Sequence, residues 1–260
     1  METEIYVQVK HSVKSLLDID LNSYKDEQMK RRLDSWLTRS GEPSWHDYFK
    51  RVRSDLDEKS RFRNYLTINV SAFFRDPERW IDLREKVLPH LLASSPSGLR
   101  VWSAGCSIGP EPYTVAILFD ELRLRHQPYL LATDLDRGAL AKAQARGPFT
   151  ADDLRNVTSQ QIEGYFESVA PQFYVKAAIA KRVTFREQNM LADDFEPGFD
   201  LIVCRNVVIY FTESAKNALY RKFCGALKPG GVLFVGGTEI IPRYHDSGFR
   251  NFGLSFYQKM

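Results

Sequence analysis

The stretch 99-LRVWSAGCSIGPEPYTVA-116 places small residues, an acid and two prolines in an order that suits ligand binding. It reads as a short apolar strand, a loop (Ser103, Ala104, Gly105, Cys106, Ser107, Ile108, Gly109) and a helix starting near Glu111 and Pro112. Strand, loop and helix in that order aim backbone N–H groups and a helix N-terminus at a nucleotide-like ligand. Small loop residues let the ligand approach the backbone closely. Neither G-x-G-x-x-G nor a following Gly-Lys-Ser/Thr occurs, so the stretch is not a dinucleotide fingerprint and not a P-loop. The pattern favours a nucleoside-type ligand such as S-adenosylmethionine. Asp134 lies 25 positions after Gly109, at the end of the apolar run 129-YLLATDLD-136. A carboxylate there can accept hydrogen bonds from both ribose hydroxyls.

The elements that must position these groups follow an α/β alternation. A strand is expected in 183-VTFREQNML-191, ending near Asn189; 200-DLIVCRNVVIYF-211 reads as an apolar strand running into a loop, 228-KPGGVLFVGG-237 as a turn feeding another apolar strand, and 252-FGLSFYQK-259 as one final alternating strand. Short apolar runs separated by helical segments indicate a mainly parallel sheet covered on both faces. Ligands bind beyond the carboxyl ends of such strands. The loops 103–111, 134–136, 189–191 and 204–207 are therefore expected to converge.

Composition narrows the class. A 260-residue chain with 43% hydrophobic and 27% charged residues reads as an ordinary globular protein. A net charge of +3 gives no ground for general nucleic-acid binding. No apolar run approaches the ~18 residues of a membrane span, and METEIYVQVK lacks a signal core. Cys106, Cys204 and Cys224 show no C-x-x-C spacing, which points to a reducing, cytoplasmic setting without structural zinc. Five scattered histidines argue against a metal site. Neither Cys106 nor Cys204 has a histidine beside it in sequence, so both read as small core residues.

The first 65 residues are charge-rich and helical in period. Met29, Leu33, Trp36 and Leu37 make one apolar face over 25–40, ended by Gly41 and Pro43, with Lys30, Arg31 and Arg32 beside it. A second helical stretch covers 44–66. With 13 Lys/Arg against 12 Asp/Glu in residues 1–65, the basic character is local. Two readings stand together: a solvated, salt-bridged face, and a docking surface for an acidic partner helix. The segment 67–80 holds Phe73, Phe74 and Trp80 and is expected to pack while presenting Asn69, Ser71 and Arg75 to the cleft. Residues 146–182 interrupt the sheet pattern as a small insertion, with a capping-box-like Thr158-Ser159-Gln160-Gln161 and a strand at 172–179. The expected organisation is a small all-helical N-terminal domain, 1–70, and a Rossmann-like α/β domain, 71–260, carrying that inserted β-subdomain.

Four ordered motifs resemble the CheR chemotaxis receptor methyltransferases: Asn-x-Ser-x-Phe-Phe-Arg at 69–75, Trp-Ser-Ala-x-x-Ser-x-Gly-x-Glu-Pro-Tyr at 102–113, Ala-Thr-Asp-Leu-Asp at 132–136 and Cys-Arg-Asn-Val-Val-Ile-Tyr-Phe at 204–211. The likeness runs from about residue 15 to the C-terminus. The resemblance implies S-adenosylmethionine as cofactor, S-adenosylhomocysteine as product, and methylation of glutamates on the cytoplasmic helices of chemoreceptors. It implies cofactor contacts at Asn69, Ser71, Arg75, Glu111, Asp134, Asn189, Met190, Cys204 and Arg205, and orientation of the substrate glutamate by Arg75 and Tyr210. Two departures stand out: Ser71 replaces a frequent Thr, and Ile108-Gly109-Pro110-Glu111 replaces Thr-Gly-Glu-Glu, removing one backbone donor. The stretch 166–182 is shorter than in members whose β-subdomain binds a receptor C-terminal pentapeptide, so pentapeptide dependence is not expected.

The residues suit that chemistry. A glutamate carboxylate is already ionised at neutral pH, so methyl transfer to it needs orientation more than a strong base. An arginine and a tyrosine supply orientation. A methyltransferase for a small molecule or RNA is the competing enzyme reading, disfavoured because an Asp/Asn-Pro-Pro-Tyr loop is absent and no large basic stripe exists. A cofactor-binding sensor without catalysis is a third, disfavoured by retention of Arg75 and Tyr210. A monomer without membrane insertion or nucleic-acid partners is expected.

Overall fold

The charge-rich first quarter of the chain folds as amphipathic helices, because its apolar residues recur at helical spacing and can be buried only along one stripe. The computed structural model describes residues 1–67 and 69–260. Two compact units result, Met1–Ile68 with Ile209–Lys216, and Asn69–Val208 with Asn217–Met260.

The first unit contains α1 (Thr3–Leu17), α2 (Asp26–Ser40), α3 (Trp45–Ser54) and α4 (Leu56–Leu66). Met29 and Leu33 of α2 are buried, Trp36 and Leu37 half-buried, and Gly41 ends the helix at φ 73°. The stretch 44–66 is not one helix. Asp55 is extended (φ −121°, ψ 106°), and its carboxylate accepts from the N–H of Asp57 and Glu58 at 2.9 and 3.0 Å. An aspartate that caps so well competes with helix continuation. The resulting corner lets Phe62 of α4 meet Trp45, Tyr48 and Phe49 of α3, with ring centroids 6.0, 5.1 and 6.3 Å away. The segment 209–212 runs antiparallel beside 23–25: Lys25 N donates to Tyr210 O at 2.9 Å, and Thr212 N to Ser23 O at 2.9 Å.

The second unit opens with α5 (Pro77–Asp82), continued through a π turn into α6 (Leu88–Ser94). Then come β1 (Arg100–Ala104), α7 (Pro110–Glu121), β2 (Tyr129–Asp134), α8 (Arg137–Gln144), α9 (Ser159–Tyr165), β3 (Phe166–Val169), β4 (Gln172–Val175) and α10 (Ala177–Ala180). The chain ends with β5 (Val183–Glu187), β6 (Phe199–Cys204), α11 (Glu213–Ala226), β7 (Leu227–Val235), β8 (Phe249–Gly253) and β9 (Phe256–Lys259). The sheet order is β5-β2-β1-β6-β7-β9-β8, with the first five strands parallel and the last two joined antiparallel. Every residue of β6 is buried, as a central strand covered on both faces requires.

Two further local expectations change. The single strand at 252–259 is the turn and second arm of a hairpin, β8–β9, with Gly253 (φ 140°) and Ser255 (φ 70°) turning the chain. The strand at 172–179 stops at Val175, and Ala177–Ala180 forms a helical turn. Its antiparallel partner β3 completes a separate two-stranded sheet. The capping box at Thr158 and Gln161 forms as its residues suggest. Phe73, Phe74 and Trp80 pack: Phe73 meets Phe149 and Phe166 edge-on at 5.0 and 4.9 Å.

Candidate active site

The loops at the carboxyl ends of β1, β2, β5 and β6 converge. Gly105 (φ 80°) lies so close to its neighbours that a Cβ there would fall 2.7 Å from Val207 Cγ2 and 3.3 Å from Met190 Cε. Its N–H and that of Cys106 donate to Thr133 O at 2.8 and 2.9 Å. Ser107, at φ 50°, donates its N–H to Asp134 Oδ2 at 2.7 Å, while Asp136 N donates to Asp134 Oδ1 at 2.9 Å. The carboxylate of Asp134 is thus oriented through its backbone partners. Burial pushes its pKa up, and those two N–H groups work against the rise.

Asn69 fastens the preceding segment to this loop. Its amide donates to Asp136 Oδ2 at 2.6 Å and its Oδ1 accepts from Ser107 Oγ at 2.8 Å. Both ends of the side chain are engaged by protein, so Asn69 shapes the site by holding Ser107 and Asp136. Ser71 is half-buried in the same extended segment. The next turn is strained on both sides of Arg75, with Phe74 at φ 48° and Asp76 at φ 56°. Non-glycine residues in this region cost of order 1–3 kcal/mol each and cluster at functional positions. The strain is held by Phe74 N donating to Thr114 Oγ1 at 3.1 Å and Trp80 Nε1 donating to Arg75 O at 2.8 Å. Arg75 itself is half-buried, with one guanidinium N–H on Val70 O at 3.3 Å.

Beyond the strand ends lies a cluster of buried charge. Arg205 donates to Asp76 Oδ2 at 2.8 Å and stacks over Phe234 and Trp80, 4.7 and 5.2 Å from their centroids. Burial lowers its pKa, and Glu111 and Asp76 oppose that. Glu111, in the first turn of α7, accepts from Ser103 Oγ at 2.8 Å; burial raises its pKa to about 7, with Arg205 the main opposing charge. Pro110 occupies the first position of α7, where an N–H has no partner within the helix, so the residue costs the helix nothing. Cys204 is fully enclosed; burial, Glu239 and Glu111 push its thiol well above its ordinary range. Burial, Asp134 and Glu111 do the same to Cys106. Both thiols stay protonated, consistent with packing roles.

Sequence reasoning missed Asp76, Gln188 and Glu239. Glu239 Oε2 accepts from Gly236 N at 2.6 Å and Asn206 N at 2.8 Å, and so ties the turn after β7 to the turn after β6, where Asn206 stands at φ 59°. Gln188 N donates to Asp134 O at 2.9 Å. A signal was available for Glu239, since it follows the carboxyl end of a parallel strand immediately after Gly-Gly-Thr.

The first unit holds a second feature. A cavity of about 400 Å³ is lined by Tyr24, Lys25, Gln28, Met29, Arg31, Arg32, Ser35, Tyr65 and Tyr210. It carries three cationic side chains, three tyrosines and no carboxylate. It gathers Arg31 and Arg32 with Tyr210. Lys30 is not in its lining; its ammonium lies 4.9 Å from the Tyr6 ring centroid. Arg32 donates to Tyr65 O and stacks on that ring at 4.5 Å, whereas Arg31 is exposed and donates to Glu27 O of its own helix at 3.4 Å.

These groups fit S-adenosylmethionine. Asp134 suits a ribose, Glu111 an ammonium, and Arg75 or Arg205 a carboxylate, around a glycine loop with no room for a side chain. The comparisons agree. Residues 69–257 match the model of the CheR methyltransferase SAM binding domain, and residues 5–67 that of the CheR methyltransferase all-alpha domain. The chain is 39% identical over 255 residues to the chemotaxis protein methyltransferase of Listeria innocua serovar 6a, covering 98% of this chain and 97% of that one. It is 38% identical over 231 residues to that of Klebsiella aerogenes (85% and 78% covered) and 33% identical over 238 residues to chemotaxis protein methyltransferase 1 of Pseudomonas aeruginosa (88% and 87% covered).

Proposed function

The chain belongs to the CheR family of S-adenosylmethionine-dependent methyltransferases, and from that premise we propose that it esterifies glutamate side chains on the cytoplasmic helices of chemoreceptors, in the cytoplasm and as a monomer. The observation that carries this reading is the cavity in which Lys25, Arg31 and Arg32 stand beside Tyr24, Tyr65 and Tyr210 without a carboxylate. Such a surface attracts an acidic segment and disfavours a basic one.

When bound, S-adenosylmethionine supplies an electrophilic sulfonium methyl and is left as S-adenosylhomocysteine. The protein's task is to hold the acceptor. A glutamate carboxylate is ionised at neutral pH and needs no base. Arg75 holds one oxygen and leaves the other free to attack, since a full bidentate clamp would quench the nucleophile. By resemblance Tyr210 also serves to orient the substrate glutamate. Asp134, Glu111, Asn189, Met190, Cys204 and Arg205 surround the cofactor, and Asn69 and Ser71 shape its rim. A carboxylate meeting a sulfonium loses charge in the transition state, so the dehydrated surroundings of Arg205 and Glu111 favour the step.

The test is transfer of labelled methyl from S-adenosylmethionine to chemoreceptor-containing membranes, read as methanol released by base. Base-labile label on the receptor is expected. Cofactor binding with label that resists base, or with none, would overturn glutamate esterification.

A further inference from the structure

Lys222 has no part in the family motifs, yet its ammonium ties α11 to the loop carrying Asn189 and Met190. Four N–H groups of that loop find partners within it: Asn189 N donates to Asp193 Oδ2 at 2.8 Å, Leu191 N to Asn189 Oδ1 at 3.0 Å, and Ala192 N and Asp193 N to Asn189 O at 3.1 and 2.8 Å. The carbonyls of Met190 and Asp193 are taken up by Lys222, whose Nζ donates to them at 2.9 and 2.5 Å. The bond to Met190 is half-buried and that to Asp193 exposed; a half-buried carbonyl needs such a partner, and a cation makes a stronger bond than a neutral donor does. The same ammonium sits 4.2 Å from the Phe195 ring centroid. Phe195 in turn stacks on Phe223 at 5.5 Å and meets Trp102 of β1 edge-on at 4.7 Å. The loop is thus held at one end by aromatic packing and along its carbonyl face by Lys222, with Gln188 Nε2 donating to the carbonyl of Asp194 at 3.1 Å.

We infer that Lys222 is a positioning residue for the cofactor: by fixing the carbonyls of Met190 and Asp193 it sets where Asn189 and Met190 stand against the Gly105 loop. The inference rests on the assignment of Asn189 and Met190 to cofactor contact. It draws on the closeness of Met190 Cε to Gly105, where the space is too tight to tolerate a shifted loop. Lys222 touches neither reacting atom, so its effect falls on cofactor affinity and leaves turnover at saturation alone.

The experiment compares the full-length wild type with Lys222→Met, Lys222→Arg and Asn189→Ala. Lys222→Met keeps the apolar stem over Phe195 and removes the donors. S-adenosylhomocysteine binding by calorimetry is expected to weaken about tenfold in Lys222→Met, with amide exchange accelerated over 189–194 and unchanged in β1 and β6. The KM for S-adenosylmethionine should rise in step, kcat should stay within about twofold, and Lys222→Arg should recover most of the affinity. Unchanged affinity in Lys222→Met beside weakened affinity in Asn189→Ala overturns the role of Lys222 while leaving the loop's assignment intact. Wild-type affinity in Asn189→Ala removes the loop from the cofactor site and the inference with it. Faster exchange throughout β1 and β6, without rescue by arginine, reduces Lys222 to general stabilisation.

Discussion

If Glu111 faces the ammonium of the cofactor, as proposed, its protonation is coupled to cofactor binding. Its carboxyl is enclosed and titrates near 7, above the ordinary value of 4.5, because burial outweighs Arg205 and Ser103. Between those two values the folded chain keeps a proton that the unfolded chain has lost, so Glu111 makes stability fall as pH rises through that window. A bound ammonium reverses the preference and expels the proton. Affinity for S-adenosylmethionine should therefore climb by up to about tenfold per pH unit below about pH 7 and level off above it. Calorimetry in two buffers of different ionisation enthalpy should show proton release at about pH 6, and Glu111→Gln should bind weakly with a flat profile. Retention of the slope in that variant would assign the titration to another group. Arg75 poses the complementary case. Its guanidinium donates to Val70 O at 3.3 Å, and the strain flanking it is held by Thr114 and Trp80. Arg75→Ala should accordingly lower kcat about 100-fold or more through lost orientation, with the urea midpoint little changed. A parallel fall in midpoint would return Arg75 to a structural role.

Helix ends and strand ends decide how accurately the elements place these residues, and they are where the sequence was hardest to read. Asp55 shows why. Charged residues run through 44–66 without glycine or proline, so periodicity alone continues the helix, whereas the structure uses the Asp55 carboxylate to start α4 afresh. Asp55→Ala should cost about 1 kcal/mol and speed amide exchange in the first turn of α4, with S-adenosylhomocysteine affinity unchanged. Equal protection in variant and wild type would show that Phe62 packing alone sets the corner. The hairpin β8–β9 escaped for a related reason: Ser255 takes a left-handed turn that its residue type does not advertise. The parallel strands were legible because buried runs such as Phe199–Cys204 are apolar throughout and short. Around the site, groups carried by contiguous motifs were also legible, as the closeness of Gly105, Met190 and Val207 shows. Asp76 and Lys222 were not, because they act across 129 residues of chain and across 29 and 32 residues, through an ion pair and hydrogen bonds to backbone carbonyls that no local pattern encodes.

At the scale of the whole molecule the chain divides its chemistry between two units, a buried charge cluster under a parallel sheet and a basic, tyrosine-lined cavity among helices. The division predicts separable losses. Arg32 is committed to Tyr65 by a hydrogen bond and by stacking, and Lys30 lies over Tyr6, so substituting either disturbs the packing of the helices. Arg31 is exposed, lines the cavity and donates to a carbonyl of its own helix. It is the cation whose reversal tests docking without testing folding. Arg31→Glu should raise the KM for receptor-containing membranes about tenfold, through loss of one attraction and gain of one repulsion toward an acidic helix. Affinity for S-adenosylhomocysteine and the urea midpoint should stay at wild-type values. Raising salt from about 50 to about 300 mM should weaken receptor methylation by the wild type more than by the variant, since screening acts on the exposed charge that the variant lacks. An equal loss of receptor and cofactor affinity in Arg31→Glu would instead mean that the charge acts through the fold, and the cavity would cease to be a candidate docking surface.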